Sequence, residues 1–580
     1  LSKYLFLYTV GPVQSYIEQA VKLHDLYAGS RILSSSIKTA LEIISLGSDN
    51  KIIFPYYEKG KQEKIISFPN RCVAIIESDD INAFAAELDK KVKDKYKSDI
   101  LQKLQGEKEN IAKKQLEEHL KTYWVAILYD SNSPYTEQYK KLESSMGAIK
   151  NIRYFKQSSN FSDNSKKCNI CGERIALFKK DKYTEDNDKY LKENEKLCAV
   201  CYQKRSYEKA ETDSFPSTAS ISLCHWEHKL KEDAPELYKE YKELFSGKLP
   251  EQCWYVTGIY KSNLEEQGFK NIDIEAVRDK LKSIDKYMKK EHPELIKYRY
   301  YSILAFDGDN MGEWISGMYF KESIDTEETQ MALSKALGNF ADWVKNEISI
   351  ERFEDMSEVG SVVYAGGEDF LGVVPLNNMF LTIDLLRRKF KELVSDALRE
   401  YVKDDKELTL SMGICIAHYK SPLHHVLKLV RSMEKEAKEH RDEKNMFAIA
   451  LMKRSGEMLK TKLPWYHNDL SVPVLLNSIS DKFAKNSAAY SFINKLGSEF
   501  MFNNRDNIDI PASMLKSEIN RLLKRSKQDN VLTEGEIGSL FEDVSKLVDI
   551  TKSVGEQESF NILINTLLIC EFTRREQDED

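Results

Sequence analysis

No apolar run in this sequence approaches the length of a membrane span, and the N-terminus lacks the basic-then-apolar pattern of a signal peptide. No membrane partner is expected. The nine cysteines are an odd number, and four of them form two CxxC pairs. That usage fits a reducing cytoplasm with a metal knuckle better than a disulfide framework. A basic excess is also missing. The formal net charge of -7 argues against a protein that binds nucleic acid over its whole surface. Local basic patches remain compatible with it, as does a place in an assembly whose other subunits hold RNA. With 580 residues, 41% hydrophobic and 31% charged, the chain exceeds one ordinary core, and three or four domains are expected.

Hydrophobic patterning divides the chain into four parts. Residues 1–155 open with an apolar strand, Tyr4–Val10, a Gly11-Pro12 turn and a helix from Gln14. A charged helical stretch, Lys90–Lys121, precedes a later strand at Tyr123–Tyr129. Residues 156–295 are polar and lysine-rich and hold both CxxC pairs, as a metal-stapled insert followed by helices would. Residues 296–455 read as strand Tyr300–Phe306, helix Glu327–Ile350, a hairpin around Gly366-Gly367, helix Asn378–Val402, strand Leu408–Ala417 and helix Pro422–Lys438. That order belongs to a palm-type, ferredoxin-like α+β domain. Residues 456–580 are mostly helical, with helices predicted at Met514–Leu523 and Ile537–Ile550 and a fraying acidic tail, Glu576–Asp580. A weak repeat lays Tyr4–Pro12 on Tyr301–Asp309, which puts Val10 on Asp307 and Pro12 on Asp309. If both halves are palms, only the second carries acids.

Two acidic motifs carry the chemistry. The first is Phe306-Asp307-Gly308-Asp309-Asn310-Met311-Gly312, at the end of a strand. The second, Gly366-Gly367-Glu368-Asp369, lies between the apolar runs Val359–Ala365 and Phe370–Val374, as the apex of a β-hairpin does. Strand alternation lets Asp307 and Asp309 converge, and the hairpin adds Glu368 and Asp369. Four such carboxylates repel unless a divalent cation intervenes, and hard oxygen ligands select Mg²⁺ or Mn²⁺. Two ions could activate a ribose hydroxyl and stabilise a departing pyrophosphate. Gly308, Asn310, Met311 and Gly312 sit where helix N–H groups receive a triphosphate, and Gly366 and Gly367 allow close approach of a ribose or base. Lys438 is a candidate phosphate counter-charge. The competing interpretation is a solvated acidic turn and a solvated acidic hairpin.

Cys168-Asn169-Ile170-Cys171 and Cys198-Ala199-Val200-Cys201 can present four thiolates to one Zn²⁺ in a closed structural site. Redox CxxC motifs and merely buried thiols are the alternatives. His24-Asp25 and the run Cys224-His225-Trp226-Glu227-His228 have ligand-type residues without partner groups, and both are expected to be structural.

Taken together, these motifs resemble the large palm-domain subunit of type III CRISPR–Cas effector complexes, in the Cmr (type III-B) branch. Gly11–Ile17, Ala28-Gly29-Ser30, Leu33-Ser34, Ser411–Ile414, Ala448–Ala450 and Arg454–Glu457 extend the resemblance over nearly the whole chain. It implies two cyclase-like (GGDEF-like) palms, a zinc domain between them and a C-terminal helical domain. It further implies that Asp307, Glu368 and Asp369 are catalytic, with Asp309 supporting the metal. The implied reaction is polymerisation of ATP into cyclic oligoadenylate when the complex, with its other Cmr subunits and CRISPR RNA, binds target RNA. The first palm helps to hold the second ATP.

The sequence departs from the family at two points. Glu368 stands where relatives usually carry Asp, and its longer reach could alter acceptor geometry. An N-terminal HD nuclease domain is missing, so for a complete chain no single-stranded DNase is expected. Some relatives of that kind join AMP to S-adenosylmethionine, which stays open here as a co-substrate. A non-catalytic structural subunit and a free-standing diguanylate cyclase are the other readings.

Overall fold

A computed structural model describes the chain apart from residues 59–67, 102, 103, 105, 153–165, 181–189, 193, 208–214, 349–359, 367, 440–443, 485–488, 502–509, 527–532, 556, 557 and 576–580. Gly367, part of the 156–295 insert and the acidic tail thus lie outside the described residues.

The N-terminal unit runs β1 (Ser2–Gly11), α1 (Gln14–Glu18), α2 (Leu23–Ile44), β2 (Lys51–Phe54), β3 (Arg71–Ser78), α3 (Ile81–Leu101), α4 (Glu107–His119), β4 (Lys121–Leu128) and α5 (Tyr135–Asn151). Its sheet has the order β2-β3-β1-β4, with β1 antiparallel to both neighbours. Leu5 through Val10 are all buried because β1 is covered on both faces. Phe6, Tyr8 and Val10 pack toward α2, while Leu5 and Leu7 pack against α5, as period-two alternation requires. The charged stretch predicted as one helix is two, α3 ending at Leu101 and α4 starting after Gly106, whose φ is +67°. A left-handed residue cannot continue a right-handed helix.

Short paired strands β5 (Phe178–Lys179) and β6 (Lys196–Leu197) lie between the two cysteine pairs and lead into α6 (Ala199–Arg205). Among the described residues four α-helices follow, α7 (Thr218–Asp233), α8 (Pro235–Glu243), α9 (Lys261–Glu266) and α10 (Ile274–Glu291).

The second large unit runs β7 (Tyr300–Gly308), α11 (Met311–Ile315), α12 (Thr326–Glu347), β8 (Ser361–Gly366), β9 (Asp369–Pro375), α13 (Met379–Phe390), β10 (Leu410–His418), α14 (Leu423–Lys438), β11 (Met446–Met452) and β12 (Met458–Pro464). Its sheet order is β12-β11-β10-β7-β9-β8. Within it, β10-β7-β9-β8 repeats the β4-β1-β3-β2 order of the first sheet, so β7 corresponds to β1. The helix predicted for Asn378–Val402 ends at Phe390 and continues as a π turn and a 3₁₀ turn. The sheet continues through β12, beyond residue 455, where the patterning had ended this domain. Five helices complete the described chain: α15 (Val472–Ala484), α16 (Ala489–Met501), α17 (Ala512–Ser526), α18 (Glu534–Val554) and α19 (Ser559–Phe572).

Strand β7 divides two cores. Leu304 and Phe306 pack into the core shared with the C-terminal helices. Tyr301, Ile303 and Ala305 face the core shared with the first sheet domain and the central helices. The two sheet domains meet reciprocally, α2 against β8 and α12 against β2. At that seam Glu327 accepts from Lys51 and from the Tyr129 hydroxyl, and Tyr135 donates to Gln330 at 2.8 Å. The acidic hairpin therefore lies at the boundary between the two units.

Candidate acidic site and cysteine knuckle

Asp307 occupies the penultimate position of β7, opposite Ser411 on β10. Glu368 follows β8 in the hairpin turn, where its carbonyl accepts from the Gly308 N–H at 3.3 Å. Asp369 opens β9, opposite Gly366. This hydrogen bond between the strand end and the turn brings Asp307 and the hairpin acids together. Burial raises the Glu368 carboxyl above its ordinary range, and Asp307 adds to the effect against the opposing pull of Arg71 and Lys438. Asp369 is raised well above its range by burial and then by Asp307 and Glu368. Oε2 of Glu368 is buried with no hydrogen-bond partner. Crowded, desolvated acids of this kind are what a cation would relieve.

Lys438, at the end of α14, donates to Asp307 and, at 3.2 Å, to Glu434. Burial would lower its pKa, but these two carboxylates raise it. Its helix can lie this close because Gly413 on β10 has no side chain. A Cβ there would stand 2.2 Å from the Val430 carbonyl and 2.3 Å from the Glu434 nitrogen. Gly308 is similarly constrained, since its Cβ would meet the Met311 sulfur at 2.7 Å.

Asp309 is placed differently. Strand β7 ends at Gly308, so the alternation expected to align Asp309 with Asp307 stops one residue short. Its backbone N–H donates to the Thr409 carbonyl at 2.8 Å. Its carboxylate accepts from the Thr409 hydroxyl at 2.7 Å and the Asn445 N–H at 3.1 Å. Asn310 caps α11 in the left-handed conformation, φ 56°, and its side-chain oxygen accepts from Lys444 at 2.6 Å. Met311 is buried and Gly312 is exposed at the start of that five-residue helix.

Sequence reasoning missed three basic groups here. Arg431 donates to the Tyr364 hydroxyl and, at 2.8 Å, to Glu434. Its position one and two helical turns before Glu434 and Lys438 was legible as a shared helix face. Lys444 gave no such signal. Nor did Arg71, which belongs to the first sheet, is paired with Glu143 and Tyr139, and acts electrostatically on Glu368 from across the seam.

Cys168, Cys171, Cys198 and Cys201 have all four sulfurs within 4.8 Å of one another. Among the described residues no other group of three or more potential ligands gathers so tightly. Cys198 caps α6 and accepts from the Cys201 N–H at 3.4 Å, while Gly172, φ +67°, turns the first knuckle. Hydrogen bonds from Cys168, then Cys198 and Cys201, hold the Cys171 thiol far below its ordinary range. Four converging sulfurs with a stabilised thiolate suit a tetrahedral soft-metal site that leaves no open position.

The His24-Asp25 pair and the Cys224–His228 run differ in partnering, since His225 Nε2 is buried with no hydrogen-bond partner. Asp25 is fully buried. Burial opposes its charge, but hydrogen bonds from His24 and Arg205 hold its carboxyl well below the usual range. Arg205 reaches it through two bonds of 2.8 and 3.0 Å. Cys224, His225 and Trp226 are buried in α7, and burial pushes the His225 imidazole down to about 4.

Residues 300–448 match a family model described as the second palm domain of Cas10/Cmr2. Residues 5–127 match the N-terminal family of CRISPR-associated protein Cmr2. The chain is 24% identical over 554 residues to the CRISPR system Cmr subunit Cmr2 of Pyrococcus furiosus. That alignment covers 78% of the chain and spans 62% of the length of the relative. Type III-B Cmr-beta, solved in the apo state and bound to cognate target RNA, shares the fold at TM-scores of 0.60 and 0.61 and 14% identity. Those superpositions cover 90% and 92% of this chain and 77% and 79% of the respective structures.

Proposed function

We propose that the chain belongs to the Cas10/Cmr2 family of type III-B large subunits, whose models match residues 300–448 and 5–127, and that it is the signalling subunit of an RNA-guided Cmr complex. Its reaction is metal-dependent nucleotidyl transfer that makes cyclic oligoadenylate from ATP and releases pyrophosphate, switched on by target RNA. One observation carries this reading: Asp307, Glu368 and Asp369 meet at the adjoining ends of β7 and the β8–β9 hairpin, with Lys438 beside them.

In this proposal residues 1–155 and 296–455, the latter completed by β12, are ferredoxin-like palms, 156–295 the zinc-binding and helical domain and the rest of 456–580 a C-terminal helical domain. Four strands of the second sheet repeat the order of the first, which supports the paired-palm interpretation. Asp307, Glu368 and Asp369 would hold Mg²⁺ or Mn²⁺, with Asp309 supporting from behind the strand end. When bound, the metal supplies charge neutralisation for the triphosphate and activation of the attacking hydroxyl. Lys438 is placed to move from Asp307 to a phosphate oxygen. Gly308, Asn310, Met311, Gly312, Gly366 and Gly367 form the nucleotide cradle. Zn²⁺ on Cys168, Cys171, Cys198 and Cys201 staples the insert. The other Cmr subunits, CRISPR RNA and target RNA are the proposed partners.

The test is mass spectrometry of products from the target-loaded complex supplied with ATP and Mn²⁺, with and without S-adenosylmethionine. Cyclic oligoadenylate is expected, and it should be lost in Asp307→Ala and Glu368→Ala complexes that still assemble. An AMP–S-adenosylmethionine adduct would instead assign the alternative acceptor. Complete absence of ATP consumption would leave a structural subunit.

A further inference from the structure

The acidic hairpin is connected by side chains to the cysteine knuckle, although the two lie in different domains. Lys204 on α6 follows Cys201 by one helical turn, and its relative exposure is 0%. Its ammonium donates to the Tyr16 carbonyl at 2.6 Å and to the Gln19 carbonyl. These are the carbonyls at the end of α1, so the knuckle helix fixes where α1 stops. The last residue of α1 is Glu18, and its carboxylate pairs with Arg431 of the second palm at 3.4 Å. Arg431 in turn donates to Tyr364 on β8 and to Glu434, the residue that also receives Lys438.

Arg431 is suited to that task. Its planar guanidinium makes three differently directed contacts, to Glu18, Glu434 and Tyr364, with geometry that an ammonium could not reproduce. Tyr364 sits just before the hairpin glycines, and β8 is the edge strand of its sheet. An edge strand has one strand neighbour only, so a side-chain tether from α14 adds to what fixes its position.

We infer that Arg431 is a positioning residue through which the first palm, anchored by the cysteine knuckle, sets the placement of the acidic hairpin. The first palm supplies Glu18, the knuckle supplies the Lys204 anchor, and the hairpin receives both through Tyr364. The catalytic consequence rests on the proposed function, whereas the mechanical link does not.

Hydrogen exchange on the purified chain tests the link directly. Glu18→Gln should raise exchange of the β8 amides roughly fivefold while leaving β11 unchanged. Arg431→Gln should raise it at least as much, and the double variant should match Arg431→Gln alone, because both changes cut one tether. Lys204→Met should loosen α1 and β8, with no added effect on β8 in the Glu18→Gln background. Where Lys204→Met does not fold, the Glu18 and Arg431 variants decide, since Glu18 is half-exposed. Unchanged β8 exchange in Glu18→Gln, additive effects in the double variant, or equal loosening of β11 would each overturn the inference. In a complex that turns over ATP, Glu18→Gln should lower kcat about tenfold with KM within about twofold. If wild-type complex makes no product, the proposed function fails and the exchange result still judges this inference.

Discussion

Lys438 donates to Asp307, so the acid at the centre of the proposed metal site is neutralised by a cation from its own chain. The same ammonium rests on Glu434, which gives it a second carboxylate when it leaves the first. A divalent ion arriving at Asp307 and a triphosphate arriving beside it would thus displace Lys438 in opposite senses, one by repulsion and one by attraction.

Removing that cation should separate the two effects. Lys438→Met is expected to bind Mn²⁺ about tenfold more tightly and ATP about tenfold more weakly, each about 1.4 kcal/mol. Isothermal titration of Mn²⁺ alone and of ATP with Mn²⁺ measures both. Equal weakening of both ligands would contradict the arrangement.

Stability should depend on pH through the hairpin acids. Glu368 and Asp369 have raised folded-state pKa values, so the folded protein binds more protons than the unfolded chain above the ordinary carboxylate range. Without divalent ions, stability is therefore fullest below the unfolded pKa values and falls as pH rises through the folded ones. Mg²⁺ or Mn²⁺ should raise the melting temperature more at pH 8 than at pH 5. Glu368→Gln should flatten the metal-free pH profile, and thermal scans across pH would show it.

The contact of α14 with β10 offers a test remote from the acids. Gly413→Ala places a methyl group against the Val430 carbonyl and the Glu434 backbone. It should cost about 1–3 kcal/mol, the usual penalty for overpacking, measured by urea denaturation. The displaced helix should also carry Lys438 off Asp307 and lower turnover more than stability loss explains.

The cysteine knuckle should hold one metal ion per chain. Elemental analysis is expected to find zinc in the wild type and none in Cys201→Ser. Losing such a site should destabilise the chain by more than about 4 kcal/mol. A chelator should reproduce the loss in wild type and leave Cys201→Ser unaffected.

Much of this architecture was legible in local patterning. The strand at Tyr4–Val10, the hairpin flanking Gly366 and the helix at Pro422–Lys438 announce themselves because burial imposes periods of two and 3.6 on neighbouring residues. The cysteine pairs were readable because a tight turn alone brings two thiolates to one side. Asp309 was less legible, since strand alternation holds only while the strand lasts and β7 ends at Gly308. The positive φ at Gly106 and the π turn after Phe390 are backbone conformations that spacing does not encode.

The sequence by itself determined the two acidic motifs, the two CxxC pairs and the strands and helices with the clearest periodicity, because each rests on residues close together in the chain. Only the tertiary structure decided which charges face those motifs. Arg71, Glu18 and Arg431 reach the hairpin region from separate domains or helices, Lys204 anchors α1 from beside the knuckle, and Lys438 is pressed onto Asp307 by a helix seated on a glycine. Such contacts join residues far apart in the chain, and packing of whole elements, not local preference, brings them together.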